Sequence, residues 1–146
     1  MSETTVPVTS VAPAAVSARG RRARIVLRTV QVLLALFYGV ASALPKLIGN
    51  QYAVDSFDKI GWGSAGMYTI GALELAGAVA LLVPVLQSVA AVALSALMVG
   101  AFFVQMIVFH GENAATPLIL IVPLAVIAWV RRGSTRDLLS LVRRRA

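Results

Sequence analysis

Hydrophobic positions along this chain gather into four long blocks separated by short polar breaks. The blocks run from about Val30 to Ile48, Met67 to Val83, Ser88 to Phe109 and Thr116 to Val130. Each approaches the ~20 residues a helix needs to cross a bilayer. The second and fourth lie at the short end of that range, which implies little tilt. Pro84 closes the second block, and the residues from Pro84 to Ser88 leave room only for a tight hairpin between antiparallel neighbours. Gly111, Glu112 and Asn113 break the third block from the fourth. The pattern predicts an all-α fold, an antiparallel bundle of four transmembrane helices.

The break between the first two blocks is patterned. Val54, Phe57 and Ile60 recur at helical spacing, with Asp55, Asp58 and Lys59 on other faces. A short interfacial helix between spans 1 and 2 is expected, lying on the outer surface. Residues 24–132 form the expected membrane bundle. Residues 1–23, polar and small and then Arg-rich, read as a disordered basic tail. Residues 133–146 read as a basic amphipathic tail with Leu138, Leu141 and Val142 on one face. The basic segment, apolar stretch and Ala41-Ser42-Ala43 also resemble a cleavable signal. The apolar stretch continues to Ile48, however, and that favours a retained span.

Composition agrees with the pattern. Hydrophobic residues make up 59% of the chain and charged residues 13%, with a mean hydropathy of +0.86. A soluble domain carries about 25% charged residues. Arg19, Arg21, Arg22, Arg24 and Arg28 precede the first block, and Arg131, Arg132, Arg136, Arg143, Arg144 and Arg145 follow the fourth. The positive-inside rule then puts both termini in the cytoplasm of a multi-pass plasma-membrane protein. A net charge of +7 and a pI near 11.1 do not point to nucleic acid, because these arginines flank apolar spans where anionic headgroups attract them. With no cysteine there is no disulfide, thiolate metal site or cysteine-held cluster. One His cannot supply bis-His haem ligation.

Candidate chemistry is confined to a few polar side chains within or beside the blocks. Glu74 interrupts Ile70–Val83, and a carboxylate in hydrocarbon needs a partner, a cavity or a proton path. It either meets a cation such as Lys46 or keeps its proton, because desolvation disfavours the charged form. Counted from Met67 at 1.5 Å per residue, it lies ~10 Å below the outer surface. Tyr38, Ser42 and Lys46 form one i, i+4 stripe, and Gln105 lies about one turn below His110. Gly71, Gly77 and Ala78 share the face of Glu74, where a neighbour can approach closely. The expected site is an outward-facing polar cup of Glu74, Lys46, Gln105, His110 and Tyr38, with Asp58 at its mouth under the short helix. The plainer alternatives are a snorkelling Lys46, a Glu74 that only ties helices together, and a solvated His110 in a turn. His110 with Glu112 has the spacing of a weak metal pair, and no metal site is assigned.

Several of these segments, in order, resemble the DoxX-like membrane proteins: Phe37-Tyr-Gly-Val-Ala-Ser-Ala-Leu-Pro-Lys46-Leu, Phe57-Asp-Lys-Ile-Gly-Trp62, Gly71-Ala-Leu-Glu74-Leu-Ala-Gly-Ala and the His110-Gly-Glu112 turn. The resemblance covers about Val30 to Arg132. It implies a four-helix membrane bundle in which Lys46, Glu74 and the His110 turn match the family's polar positions. The family takes its name from a membrane subunit tied to thiosulfate:quinone oxidoreductase, and some relatives are linked to membrane thiol and oxidative-stress systems. Pro45 departs from the small residue that often precedes the family's Lys.

The resemblance and the clustered polar residues together suggest a small accessory subunit that binds a quinone, or another amphipathic small molecule, for a redox partner in or at the membrane. Any quinone would be non-covalent, and no autonomous catalytic centre is identified. A homo-oligomer is compatible with this pattern. The alternatives are a structural or assembly protein without a ligand of its own, and a small transporter.

Overall fold

The computed structural model describes residues 13–133, and every described element is helical. Helix α1 runs Pro13–Leu36 and passes without a break into a π-helical segment, Phe37–Ala43, and then the single turn α2, Leu44–Leu47. Helices α3 (Gln51–Ile60), α4 (Gly63–Leu82), α5 (Gln87–Ile107) and α6 (Ala115–Val130) follow. Among the described residues three helical stretches are long and apolar enough to cross a membrane: Gly20–Leu47, Gly63–Leu82 and Gln87–Ile107. Helix α6 is equally apolar but has 16 residues, about 24 Å of length. Residues 13–23, expected in a disordered tail, are part of α1, where Pro13 suits a helix start. The amphipathic tail expected over 133–146 lies outside the described residues beyond Gly133, as does the N-terminal tail before Pro13.

The bundle is apolar outside as well as inside. Val40, Val79, Val92, Phe103, Ile119 and Val122 are each more than half exposed. Only 22% to 33% of each apolar window lies within the bundle. Such a surface suits hydrocarbon, because lipid tails leave no reason to hide Val or Leu.

Local chemistry explains where each element begins and ends. The Asn50 side chain accepts the Tyr52 N–H at 3.0 Å and caps α3, and Gly61 ends that helix at a left-handed φ of 80°. Ala53 and Phe57 of α3 are buried against Met67 of α4. Because α3 ends so sharply, α4 starts at Gly63, four residues before the apolar block suggested. Its 20 residues give about 30 Å, a full hydrocarbon thickness. The short-span expectation for this helix is thereby replaced. Helices α4 and α5 form the expected hairpin, closed by Leu86 N–H to Val83 O at 3.0 Å.

The π-helical segment follows from Pro45. Proline has no N–H to give the carbonyl four residues back, and its ring crowds that carbonyl. The turn before it widens, and Leu44 N–H bonds Gly39 O, five residues back.

Small residues set the helix spacing. A Cβ at Gly77 would lie 2.6 Å from a Leu94 methyl, and one at Gly39 would touch Ala78 at 3.8 Å. Around them Tyr38, Leu81, Ala91, Leu94, Leu124 and Ile127 are fully enclosed. Ser88 Oγ donates to Ala128 O at 3.2 Å, which ties the start of α5 to the end of α6.

Candidate functional site

Glu74 sits on the twelfth residue of α4, about 16 Å along the axis from Gly63. That is deeper than the ~10 Å counted from Met67, because the helix starts earlier. The side chain is 5% exposed, and its Oε2 accepts from Lys46 Nζ at 2.7 Å and from Ser42 Oγ at 3.0 Å. Lys46 Nζ also donates to Ser42 Oγ and to Ser42 O, each at 3.0 Å. All three ammonium protons therefore have acceptors within the chain. Ser42 accepts from one partner and donates to the other.

Backbone geometry makes this cluster possible. Gly71 lies one turn before Glu74, and a Cβ there would meet Lys46 Cβ at 3.0 Å and Leu47 Cγ at 3.3 Å. The missing side chain lets the lysine stem lie against α4, so the ammonium reaches the carboxylate rather than the membrane edge. The carbonyl of Ser42, four residues before Lys46, also receives that ammonium. A pair this enclosed is attractive only when its remaining polar atoms are also bonded. Ser42 supplies those bonds for Lys46.

Two oxygens beside the cluster stay without a bond among the described residues. Glu74 Oε1 accepts none. Tyr38, one turn before Ser42 in the stripe, is 0% exposed, and its hydroxyl has no partner. A buried hydroxyl without a hydrogen bond is uncommon and calls for an explanation.

The other expected site residues lie elsewhere. Gly77 faces Leu94 across the antiparallel α4–α5 pair, which puts Glu74 level with residues near Leu97. Gln105 is eight residues further along α5, about 12 Å away along the axis. Its Oε1 is buried and without a partner among the described residues. His110 is exposed and holds a left-handed φ of 51° in the turn after α5, where Gly111 N–H reaches back to Gln105 O at 2.8 Å. Asp58 is exposed on α3. Among the described residues no cluster of three or more His, Cys, Asp or Glu is placed to hold a metal ion.

Sequence reasoning passed over one polar contact. Gln31, 2% exposed, accepts from Arg131 Nη2 at 3.3 Å across 100 residues of chain. A lone Gln in an apolar block was the available signal. Its partner was not.

A family model described as the DoxX-like family matches residues 29–139. That stretch holds the Lys46–Ser42–Glu74 cluster and the helices from the apolar part of α1 to the end of α6. Comparison with curated proteins and with solved structures gives no match.

Proposed function

We infer that this chain, which belongs to the DoxX-like family, is an integral membrane subunit that holds the polar head of a quinone or another amphipathic small molecule beside the Lys46–Ser42–Glu74 cluster, in the service of a membrane redox partner. In this reading α6 is the fourth crossing, both termini face the cytoplasm of a plasma membrane, and α3 lies on the outer surface. The arginine distribution supports that orientation. Arg131, at the end of α6, bonds Gln31 near the start of the apolar part of α1, and this supports an even number of crossings.

The observation that carries the reading is the Tyr38 hydroxyl, enclosed and unpartnered next to a carboxylate with one unbonded oxygen. A quinone head needs a donor at a carbonyl, and the unpartnered Tyr38 hydroxyl is such a donor. Tyr38 would donate to the carbonyl, and the Glu74 carboxylate, its charge balanced by Lys46, would stand nearby as a proton acceptor. The redox chemistry would be the quinone's own. Lipid-soluble quinone retained after mild detergent extraction, measured by mass spectrometry, tests the idea. Tyr38→Phe should lower retention several-fold, and unchanged retention in that variant rejects the reading.

A second reading has its own support. Every proton of the Lys46 ammonium is already used inside the chain, as expected of an interhelical strut in a structural or assembly protein. In that case no ligand co-purifies, and Glu74→Gln reduces only stability.

A further inference from the structure

At the opposite end of the bundle from the Glu74 cluster, α6 ends on a charge that the described residues do not balance. Arg131 is half-buried, and among the described residues its guanidinium makes one side-chain hydrogen bond, to the neutral amide oxygen of Gln31. Its Nε is enclosed without a partner among the described residues, and so is Gln31 Nε2. Lys46–Glu74 is the ion pair among the described residues, and it lies far along the bundle from Arg131. A guanidinium carries five donors and one positive charge. Here it is held in place by a donor–acceptor contact that neutralises nothing.

The level of this arginine in the membrane can be read from its neighbours. Trp129, 69% exposed, packs under the Arg132 guanidinium at 5.7 Å from the ring centroid. An exposed Trp with a cation above it marks the boundary between headgroups and hydrocarbon. Arg28 lies three residues before Gln31, on the same side of α1, and is exposed. Val126 and Val130, one turn apart and exposed, give α6 an apolar lipid-facing stripe on a neighbouring face just short of Arg131. A phosphate at this depth would meet a guanidinium, with hydrocarbon-facing side chains beside it.

We propose that Arg131, positioned by Gln31 and assisted by Arg28, binds the phosphate group of an anionic membrane lipid. Guanidinium donors suit phosphate oxygens in number and geometry, and basic clefts between helices at this depth bind such headgroups. Gln31 is a positioning residue. It fixes the inner edge of the guanidinium so that the remaining donors stay at headgroup level instead of extending into water. The site is independent of the quinone reading and holds whether or not Tyr38 meets a ligand.

The test uses the full chain, purified in a neutral detergent and exposed to equal amounts of phosphatidylglycerol and phosphatidylcholine, with retained lipid measured by mass spectrometry. The wild type should prefer phosphatidylglycerol by about fivefold or more, and Arg131→Gln should remove that preference. Arg132→Gln carries the same change in net charge one residue away and should keep most of it. Gln31→Glu offers Arg131 an internal carboxylate in place of the phosphate. This variant should melt at a higher temperature and lose the preference, so the proposal stays testable even if Arg131→Gln fails to fold. Equal preference in the wild type, Arg131→Gln and Gln31→Glu overturns the assignment. So does a preference that appears only in Asp137→Asn, which would mean the chain's own carboxylate fills the site. Displacement of the lipid by millimolar inorganic phosphate would make it a soluble-phosphate site and overturn the lipid assignment.

Discussion

Lys46 and Glu74 are 28 residues apart in the chain, yet Nζ and Oε2 meet at 2.7 Å with Ser42 bonded to both. The contact joins the end of the first apolar stretch to the middle of α4. Removing either charge leaves the other enclosed and unpaired, which costs about 3–5 kcal/mol in buried pairs. Glu74→Gln and Lys46→Met should each lower the melting temperature in detergent, and the Lys46→Met/Glu74→Gln double variant should lose less than the sum of the two. Additive losses in the double variant would show that the pair is not coupled.

Ser42→Ala tests the bridge separately. It removes one bond to the carboxylate and one acceptor from the ammonium, so a loss of about 1–3 kcal/mol is expected, smaller than that of Glu74→Gln. Thermal unfolding of both variants in the same detergent compares them directly.

Pro45→Ala restores an N–H that can bond Ala41 O, and so favours an ordinary α-turn where the chain now takes a wider one. Closing that turn rotates Lys46 away from Glu74. The Lys46–Glu74 coupling, measured by a double-mutant cycle in the Pro45→Ala background, should fall well below its wild-type value. Retained coupling would mean that the wide turn is not maintained by the proline.

Tyr38→Phe separates ligand binding from stability. The hydroxyl has no partner among the described residues, so its deletion should shift stability by no more than about 1 kcal/mol. Quinone retention should still fall. A large loss of stability with unchanged retention would assign the hydroxyl to packing.

The helix contacts predict opposite outcomes at two glycines. Gly77→Ala drives a Cβ to 2.6 Å from a Leu94 methyl, an overpacking expected to cost about 1–3 kcal/mol. Gly100 has no atom within 4 Å of an added Cβ, so Gly100→Ala should be neutral or stabilise by up to about 1 kcal/mol through helix propensity. Equal melting temperatures for the two variants would contradict the α4–α5 packing.

Much of this architecture is local, and local features are legible in a sequence. The apolar blocks set the membrane class, Pro84 set the α4–α5 hairpin, and Val54, Phe57 and Ile60 set α3. Glu74 stood out because one carboxylate in an apolar run has few places to go. What the sequence could not supply was phase and register. Whether Glu74 meets Lys46 or Gln105 depends on how far α5 slides along α4 and on how Pro45 turns the helix before it. The structure put Lys46 and Ser42 in contact with the carboxylate and Gln105 about 12 Å along the axis from its level. It also joined Gln31 to Arg131 across 100 residues. Hydrophobicity and helical period are properties of neighbouring residues, so the sequence alone determined the helices and their class. Contacts between helices depend on small side chains, widened turns and axial offsets acting together, and only the folded bundle decided those.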